Sequence, residues 1–138
     1  MEALRELSAD APCPMRIAAT TEAFTRQEWL SGDSVTLPVS AAESMTLPGE
    51  LLRSYMRRNE RRYALPRKLS SWNVGGRGAC DEVVVTVSMP GYTTDGSMAV
   101  VGFSSSSNRH KMGNVGLIVM TKRDAAWRVV RVVPLIAA

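Results

Sequence analysis

Apolar residues in the second half of the chain fall into short segments separated by turn residues, a pattern typical of β-strands. Alternation of apolar and polar residues marks 81–89, and the further predicted strands are 97–104, 115–122 and 126–133. The connections between successive segments are short, which favours antiparallel pairing. The pattern predicts an antiparallel meander of four to five strands, in which Pro134 ends the last strand.

A helical periodicity replaces this alternation between about residues 48 and 63. Pro48 suits the first turn of a helix, Glu50 suits its positive N-terminus, and Pro66 stops it. The sequence therefore predicts one main amphipathic helix over about 48–63, whose apolar face packs on the sheet. Residues on that face are Leu51, Leu52, Tyr55, Met56 and Tyr63.

Asn59 interrupts this apolar face near its middle. A buried amide without hydrogen-bond partners costs about 1–3 kcal/mol. We therefore expect Asn59 to be a structural polar residue that ties the helix to the backbone of a neighbouring loop or strand. Contact with a ligand is the alternative.

The first third of the chain has weaker signals. Residues 2–9 suit a short N-terminal helix, and residues 16–21 suit a strand because Thr20 and Thr21 are β-branched. Residues 31–46 are rich in Ser, Gly, Asp and Thr and predict a loop. The elements together predict a single α+β domain over residues 1–138, with an antiparallel sheet, one main helix and a short N-terminal helix.

Composition narrows the class of protein. The chain has 138 residues, of which 45% are hydrophobic and 22% charged, as in an ordinary globular domain. No apolar run approaches the ~18–20 residues that span a bilayer. The N-terminal segment carries acidic residues and lacks the apolar core of a secretory signal, so a cytoplasmic protein is expected. A periplasmic or secreted mature form whose signal was removed is the alternative.

Cys13 and Cys80 do not form a Cys-x-x-Cys pair, and the chain has one histidine. These are too few ligands for a structural zinc site, so neither a metal nor a cofactor is expected. The two cysteines are either separate thiols or one disulfide that ties the N-terminal segment to the sheet.

Basic residues are concentrated around the predicted helix, where 51–69 holds seven Arg or Lys against Glu60 alone. This surface suits the solvated back of a helix, a docking face for an acidic protein, or phosphate contacts to nucleic acid. Single-strand binding would usually add exposed aromatic residues, and outside the helix only Trp72 is close. The candidate binding residues are Arg53, Arg57, Arg58, Arg61, Arg62, Arg67, Lys68 and Arg77.

Candidate catalytic residues carry no local signature. His110 lies in a polar loop, where Ser105 and Asp95, or Cys80, would complete a nucleophilic site, but no nucleophile elbow is present. The glycines of 75–78 lack the pattern of a phosphate-binding loop. An enzyme with a site between helix and sheet near His110 is kept as an alternative function.

The stretch 89–133 resembles the C-terminal meander of a loosely defined group of small bacterial proteins, many of them secreted or lipid-anchored. The group also has a proline-started helix ending in an Arg-Asn step, which Arg58-Asn59 matches. This chain departs from the group at Asp124-Ala125, where a turn glycine is usual, and in lacking an aromatic residue near its C-terminus. The resemblance implies an α+β fold and no particular reaction. Its further matching positions are Leu47-Pro48, Leu65, Ser88, Gly91, Asp95-Gly96, Ala99-Val100-Val101, Gly113, Gly116, Lys122 and Trp127.

These observations favour a non-catalytic binding protein over an enzyme. A protein partner is the first expectation, in an accessory or immunity-like role, because the chain is small and has no catalytic signature. A nucleic-acid-binding module that uses the basic residues 53–68 is the alternative partner class.

Overall fold

The computed structural model describes residues 15–70, 73–74, 82–106 and 114–137 and shows an α+β fold dominated by strands. The predicted N-terminal helix over 2–9 lies outside these residues. No described helix is long and apolar enough to cross a membrane. The described strands are β1 (Met15–Ile17), β2 (Ser34–Pro38), β3 (Ser44–Pro48), β4 (Asn73–Val74), β5 (Val83–Val87), β6 (Gly91–Tyr92), β7 (Met98–Ser106), β8 (Asn114–Arg123) and β9 (Ala126–Ala137). The described helices are α1 (Gly49–Arg58), the single turn α2 (Arg67–Ser70) and a 3-10 turn over Gln27–Leu30.

The main sheet is mixed, which corrects the prediction of a purely antiparallel sheet of four to five strands. It has seven strands in the order β4-β1-β5-β7-β8-β9, with β6 also paired to β7. β1 runs parallel to β5, from the pair Met15 and Val83 to the pair Ile17 and Val85. A three-residue strand carries too little periodicity to reveal a partner so distant in the sequence.

The predicted meander forms the antiparallel half of this sheet, where β5, β7, β8 and β9 are successive neighbours. The prediction that Pro134 ends the last strand is wrong, since β9 continues to Ala137. β9 is the edge strand, and an edge tolerates proline because its outward side needs no backbone donor. Pro134 also sits beside a register shift between Val115 and Gly116.

A second sheet occupies residues that the sequence predicted as a loop over 31–46, so that prediction is wrong. β2 and β3 form an antiparallel hairpin that buries Leu37 and Leu47. Thr36 and Thr46 lie opposite each other on its exposed side, with hydroxyl oxygens 2.9 Å apart. The Ser, Thr and Pro content hid an alternation whose apolar positions all face the core.

The helix α1 ends at Arg58 rather than at the predicted Tyr63. The chain after it pairs instead with the segment that follows β1. Thr21 donates its N–H to the Tyr63 carbonyl at 2.7 Å, and Leu65 donates to the Ala19 carbonyl at 2.8 Å. These backbone groups are committed to the neighbouring segment, so the helical hydrogen-bond ladder does not continue.

Two clusters of buried side chains stabilise the fold. The larger one lies between the main sheet, α1, the 3-10 turn and the hairpin. The smaller one lies between β1 and β5 and consists of Met15, Ile17 and Val85. The buried members of the larger cluster are Trp29, Leu37, Leu47, Leu51, Leu52, Tyr55, Val100, Leu117, Val119 and Val133.

Candidate binding surfaces

The described members of the predicted basic set lie on α1, on the segment that follows it and on α2. Arg61 and Arg62 follow α1, and Arg67 and Lys68 belong to α2. Arg77 lies outside the described residues. The remaining members of the set, all in α1, are Arg53, Arg57 and Arg58.

Several of these guanidinium groups already make contacts within the chain. Arg53 donates through Nη1 to the Gly32 carbonyl at 2.7 Å. Arg62 forms an exposed ion pair with Glu22 at 3.3 Å. Exposed pairs of this kind contribute little stability, so the arginines stay available to a partner.

Arg61 lies over the ring of Tyr63, with its guanidinium carbon 5.4 Å from the ring centroid. Its Nε donates to the Tyr63 hydroxyl, and this hydrogen bond raises the pKa of the Arg61 guanidinium. Tyr63 is half-buried beside this arginine and does not pack on the apolar face of α1 as the sequence predicted.

Asn59 caps the C-terminal end of α1, and its side-chain amide hydrogen-bonds to backbone groups. Nδ2 donates to the Tyr55 carbonyl at 2.7 Å and to the Met89 carbonyl at 2.8 Å. Oδ1 accepts the Met89 N–H at 2.8 Å. The amide therefore joins the end of the helix to the segment between β5 and β6, which is a structural role.

A groove runs between the 3-10 turn and α1. We call it the helix groove, and it is lined by Leu30, Arg53, Met56, Arg57 and Glu60. Leu30 is 48% exposed, whereas its neighbour Trp29 in the same turn is 1% exposed. Met56 is half-buried, and Arg57 and Glu60 are exposed. The groove thus combines an apolar floor with two arginines and one glutamate at its edge.

Sequence reasoning missed a second surface, in which two aromatic rings lie between two cations. We call it the cation–aromatic row, and it consists of Arg58, Tyr92, Trp127 and Lys122. The Arg58 guanidinium carbon is 5.4 Å from the Tyr92 ring centroid, and the Lys122 Nζ is 5.9 Å from the Trp127 ring. The Tyr92 and Trp127 centroids are 5.9 Å apart and their planes are tilted by 45°.

Part of the cation–aromatic row was visible in the sequence. Lys122 and Trp127 flank the predicted last turn and pair directly across β8 and β9. Tyr92 carried no signal, because it reaches Trp127 only through the combined register of β6, β7, β8 and β9. Trp127 is half-buried on this surface and does not belong to either buried cluster.

Of the residues considered for catalysis, the structure describes Ser105 and Asp95. His110, Cys13 and Cys80 lie outside the described residues, as do the glycines of 75–78. Ser105 is half-buried in β7, where its Oγ accepts the Asn114 N–H at 3.1 Å. Asp95 lies in the turn before β7 and accepts hydrogen bonds from Thr93 and Ser97.

No family model matches this chain, and comparison with curated proteins and with solved structures finds no match. The resemblance to small bacterial proteins therefore stays a prediction, and the function is argued from the two surfaces themselves.

Proposed function

We propose that this protein is a non-catalytic binding protein that engages another protein through the helix groove, in an accessory or immunity-like role. The observation that carries the proposal is the exposed apolar floor of the groove, in particular Leu30 at 48% exposure beside Met56. An apolar groove floor rimmed by polar side chains is the kind of surface on which proteins dock.

The chemistry of the groove selects the kind of partner. Methionine is flexible and polarisable, so Met56 adapts to apolar side chains of different shapes. Arg53 and Arg57 flank this floor, and the net charge of the chain is +4. The complementary segment therefore presents apolar residues accompanied by acidic ones, and the charges speed its encounter with the groove.

Arg53 is the better oriented of the two arginines. Its Nη1 donates to the Gly32 carbonyl, which fixes the guanidinium at the groove edge. A guanidinium carries five N–H donors, so most of them remain for a partner carboxylate. Because the side chain is already ordered, less conformational entropy is lost on binding.

Site-specific crosslinking tests this proposal. A photoreactive amino acid is placed at Met56, and at Arg123 in the β8–β9 turn as a control, in cells that produce the protein naturally. We expect a discrete protein adduct from position 56 that is absent from position 123. The adduct should resist nuclease treatment, and it should disappear when Leu30→Glu or Arg57→Glu is added, since each change removes one feature of the groove.

Two results would contradict the proposal. An adduct that persists with Leu30→Glu and Arg57→Glu would mean that the groove does not select the partner. Equal labelling from positions 56 and 123 would mean that the contacts are collisional. The variant Arg58→Glu is the matched control, because it changes the same charge one residue away, outside the groove lining.

A further inference from the structure

The cation–aromatic row is positioned by two independent elements of the fold. Ser54 accepts the Tyr92 N–H at 3.0 Å, which holds β6 against α1. Arg58 lies one helical turn after Ser54 on the same side of α1, and therefore above Tyr92. Lys122 and Trp127 face each other across the antiparallel pair β8–β9.

Strand register explains why the two rings meet. Tyr92 pairs with Ala99, and Ala99 pairs with Met120. Met120 and Lys122 are two residues apart on β8, so their side chains share one face of the sheet with Tyr92 and Trp127. Ala99 is small and 1% exposed, which leaves room above it for the two rings.

The row combines the two features that single-stranded nucleic acid requires of a protein surface. Aromatic rings stack on bases of any sequence, and flanking cations contact phosphates. Tyr92 and Trp127 are half-buried, so part of each ring is open to solvent. Arg58 and Lys122 lie over these rings in the unbound protein, and each base would replace a cation on the ring as that cation turns to a phosphate. Arg58 and Lys122 are exposed at the two ends of the row, where the backbone of a bound strand would pass.

We propose that Arg58, Tyr92, Trp127 and Lys122 form a binding site for single-stranded nucleic acid. Bases stack on Trp127 and Tyr92, and Arg58 and Lys122 contact the phosphates on either side. The site is separate from the helix groove, so its test does not depend on the protein partner proposed above.

Oligonucleotides with and without bases separate stacking from charge. The purified full chain is titrated into a labelled oligothymidylate of about 12 nucleotides and into an abasic oligonucleotide of the same length. Anisotropy is followed at ~50 and ~200 mM salt, a range over which phosphate contacts weaken steeply. We expect tighter binding to oligothymidylate than to the abasic strand, and weaker binding of both at the higher salt.

The variants give each residue a distinct signature. Trp127→Leu should weaken oligothymidylate binding by about tenfold and leave abasic binding unchanged, because only base stacking is lost. Arg58→Gln and Lys122→Gln should weaken both and reduce the salt slope by about one each. Both of these side chains are exposed, so these two variants keep the test valid if Trp127→Leu impairs folding.

Neighbouring arginines provide matched controls. Arg57 adjoins Arg58 on another side of the helix, and Arg128 adjoins Trp127 on the opposite face of β9. Arg57→Gln and Arg128→Gln should leave the affinities nearly unchanged. Equal losses from these controls, or equal affinity for the abasic strand and oligothymidylate, would overturn the proposal. Thymidine monophosphate binding as tightly as the oligonucleotide would also overturn it, in favour of a free nucleotide.

Discussion

The hydroxyl group of Tyr55 occupies the space where residue 102 would carry a side chain. A Cβ atom at Gly102 would collide with that hydroxyl oxygen and lie 3.2 Å from the Tyr55 Cζ. The hydroxyl donates to the Phe24 carbonyl at 2.9 Å, and burial raises the pKa of Tyr55 to about 12. One tyrosine therefore joins α1, the central strand β7 and the segment before the 3-10 turn.

Gly102→Ala should lower the free energy of unfolding by about 1–3 kcal/mol, because the added methyl group overfills this site. Tyr55→Phe should also destabilise the protein, by about 1–3 kcal/mol, because the Phe24 carbonyl loses its donor. The double variant should lose less than the sum of the two, since removing the hydroxyl makes room for the methyl group. Urea denaturation of the four proteins measures this coupling, and strictly additive losses would show that the two residues do not compete for space.

Asn59→Ala should lower the free energy of unfolding by about 1–3 kcal/mol, because the backbone groups of Met89 lose their partners. Asn59→Asp should cost at least as much at neutral pH, since a carboxylate has no N–H for the Tyr55 and Met89 carbonyls. Glu60→Ala, at the exposed next position, is the control and should change stability by less than about 0.5 kcal/mol. Thermal unfolding curves that superimpose for Asn59→Ala and the wild type would contradict the structural role.

The turn between β8 and β9 holds Ala125 in the left-handed backbone region, which is unfavourable for a residue that has a Cβ atom. Asp124 and Ala125 have φ angles of 52° and 64°. A two-residue hairpin turn of type I′ has positive φ at both central positions, and glycine is the preferred second residue. Ala125→Gly should therefore stabilise the protein by about 0.5–1 kcal/mol.

Gly96→Ala is the matched control for this substitution. Gly96 has a φ of 73°, and no atom lies within 4 Å of an added Cβ, so the change tests backbone conformation alone. It should destabilise the protein by a similar amount. If Ala125→Gly lowered the melting temperature as Gly96→Ala does, the positive φ of Ala125 would not be a source of instability in the β8–β9 turn.

Asp95 makes the stability of the native state depend on pH through the turn before β7. Hydrogen bonds from the Ser97 hydroxyl, the Ser97 N–H and the Thr93 hydroxyl lower the pKa of Asp95 from 3.8 to about 2. A carboxyl whose pKa is lowered by folding stabilises the native state above its unfolded pKa, and this contribution is lost as the pH falls through the folded pKa. The loss should therefore occur between about pH 4 and pH 2.

Asp95→Asn tests this assignment, because the amide oxygen of the variant still accepts hydrogen bonds but does not titrate. Its free energy of unfolding should fall less steeply than that of the wild type between about pH 4 and pH 2. Ser97→Ala should reduce the slope partially, as it removes one donor. Identical slopes for wild type and Asp95→Asn would place the acid sensitivity at other carboxyl groups.

The sequence was sufficient to predict β5, β7, β8 and β9, because alternating residues or short apolar runs between turn residues are local signals. β8 is such a run, and five consecutive residues of it are buried. The hairpin β2–β3 was missed since Ser, Thr and Pro at its exposed positions resemble loop composition. The helix was predicted too long, because the pairing of Leu65 with Ala19 competes with helical hydrogen bonds and leaves no trace in periodicity. Tertiary pairing decided each of these cases.

For the candidate surfaces too, local features could be predicted from the sequence and features that depend on tertiary pairing could not. The basic residues around α1 could be predicted from the sequence, since charge density is a local property. The cation–aromatic row could not, because Tyr92 reaches Trp127 only through the register of β6, β7, β8 and β9. The groove floor at Leu30 was also missed, as exposure of an apolar residue depends on how the 3-10 turn packs.

The parallel pairing of β1 with β5 has a consequence for how the protein opens. Met15 pairs with Val83, which is far from it in the sequence, so this contact closes a long loop. Closing the loop costs conformational entropy, and the small cluster of Met15, Ile17 and Val85 offsets that cost. Such a segment tends to detach in local fluctuations while the main cluster stays intact. In native-state hydrogen exchange, the amides of Ala18 and Glu22, bonded to Val85 and Val87, should exchange well before that of Leu117 in the middle of β8. The N-terminal strand would then behave as a separate cooperative unit, released before the rest of the sheet unfolds.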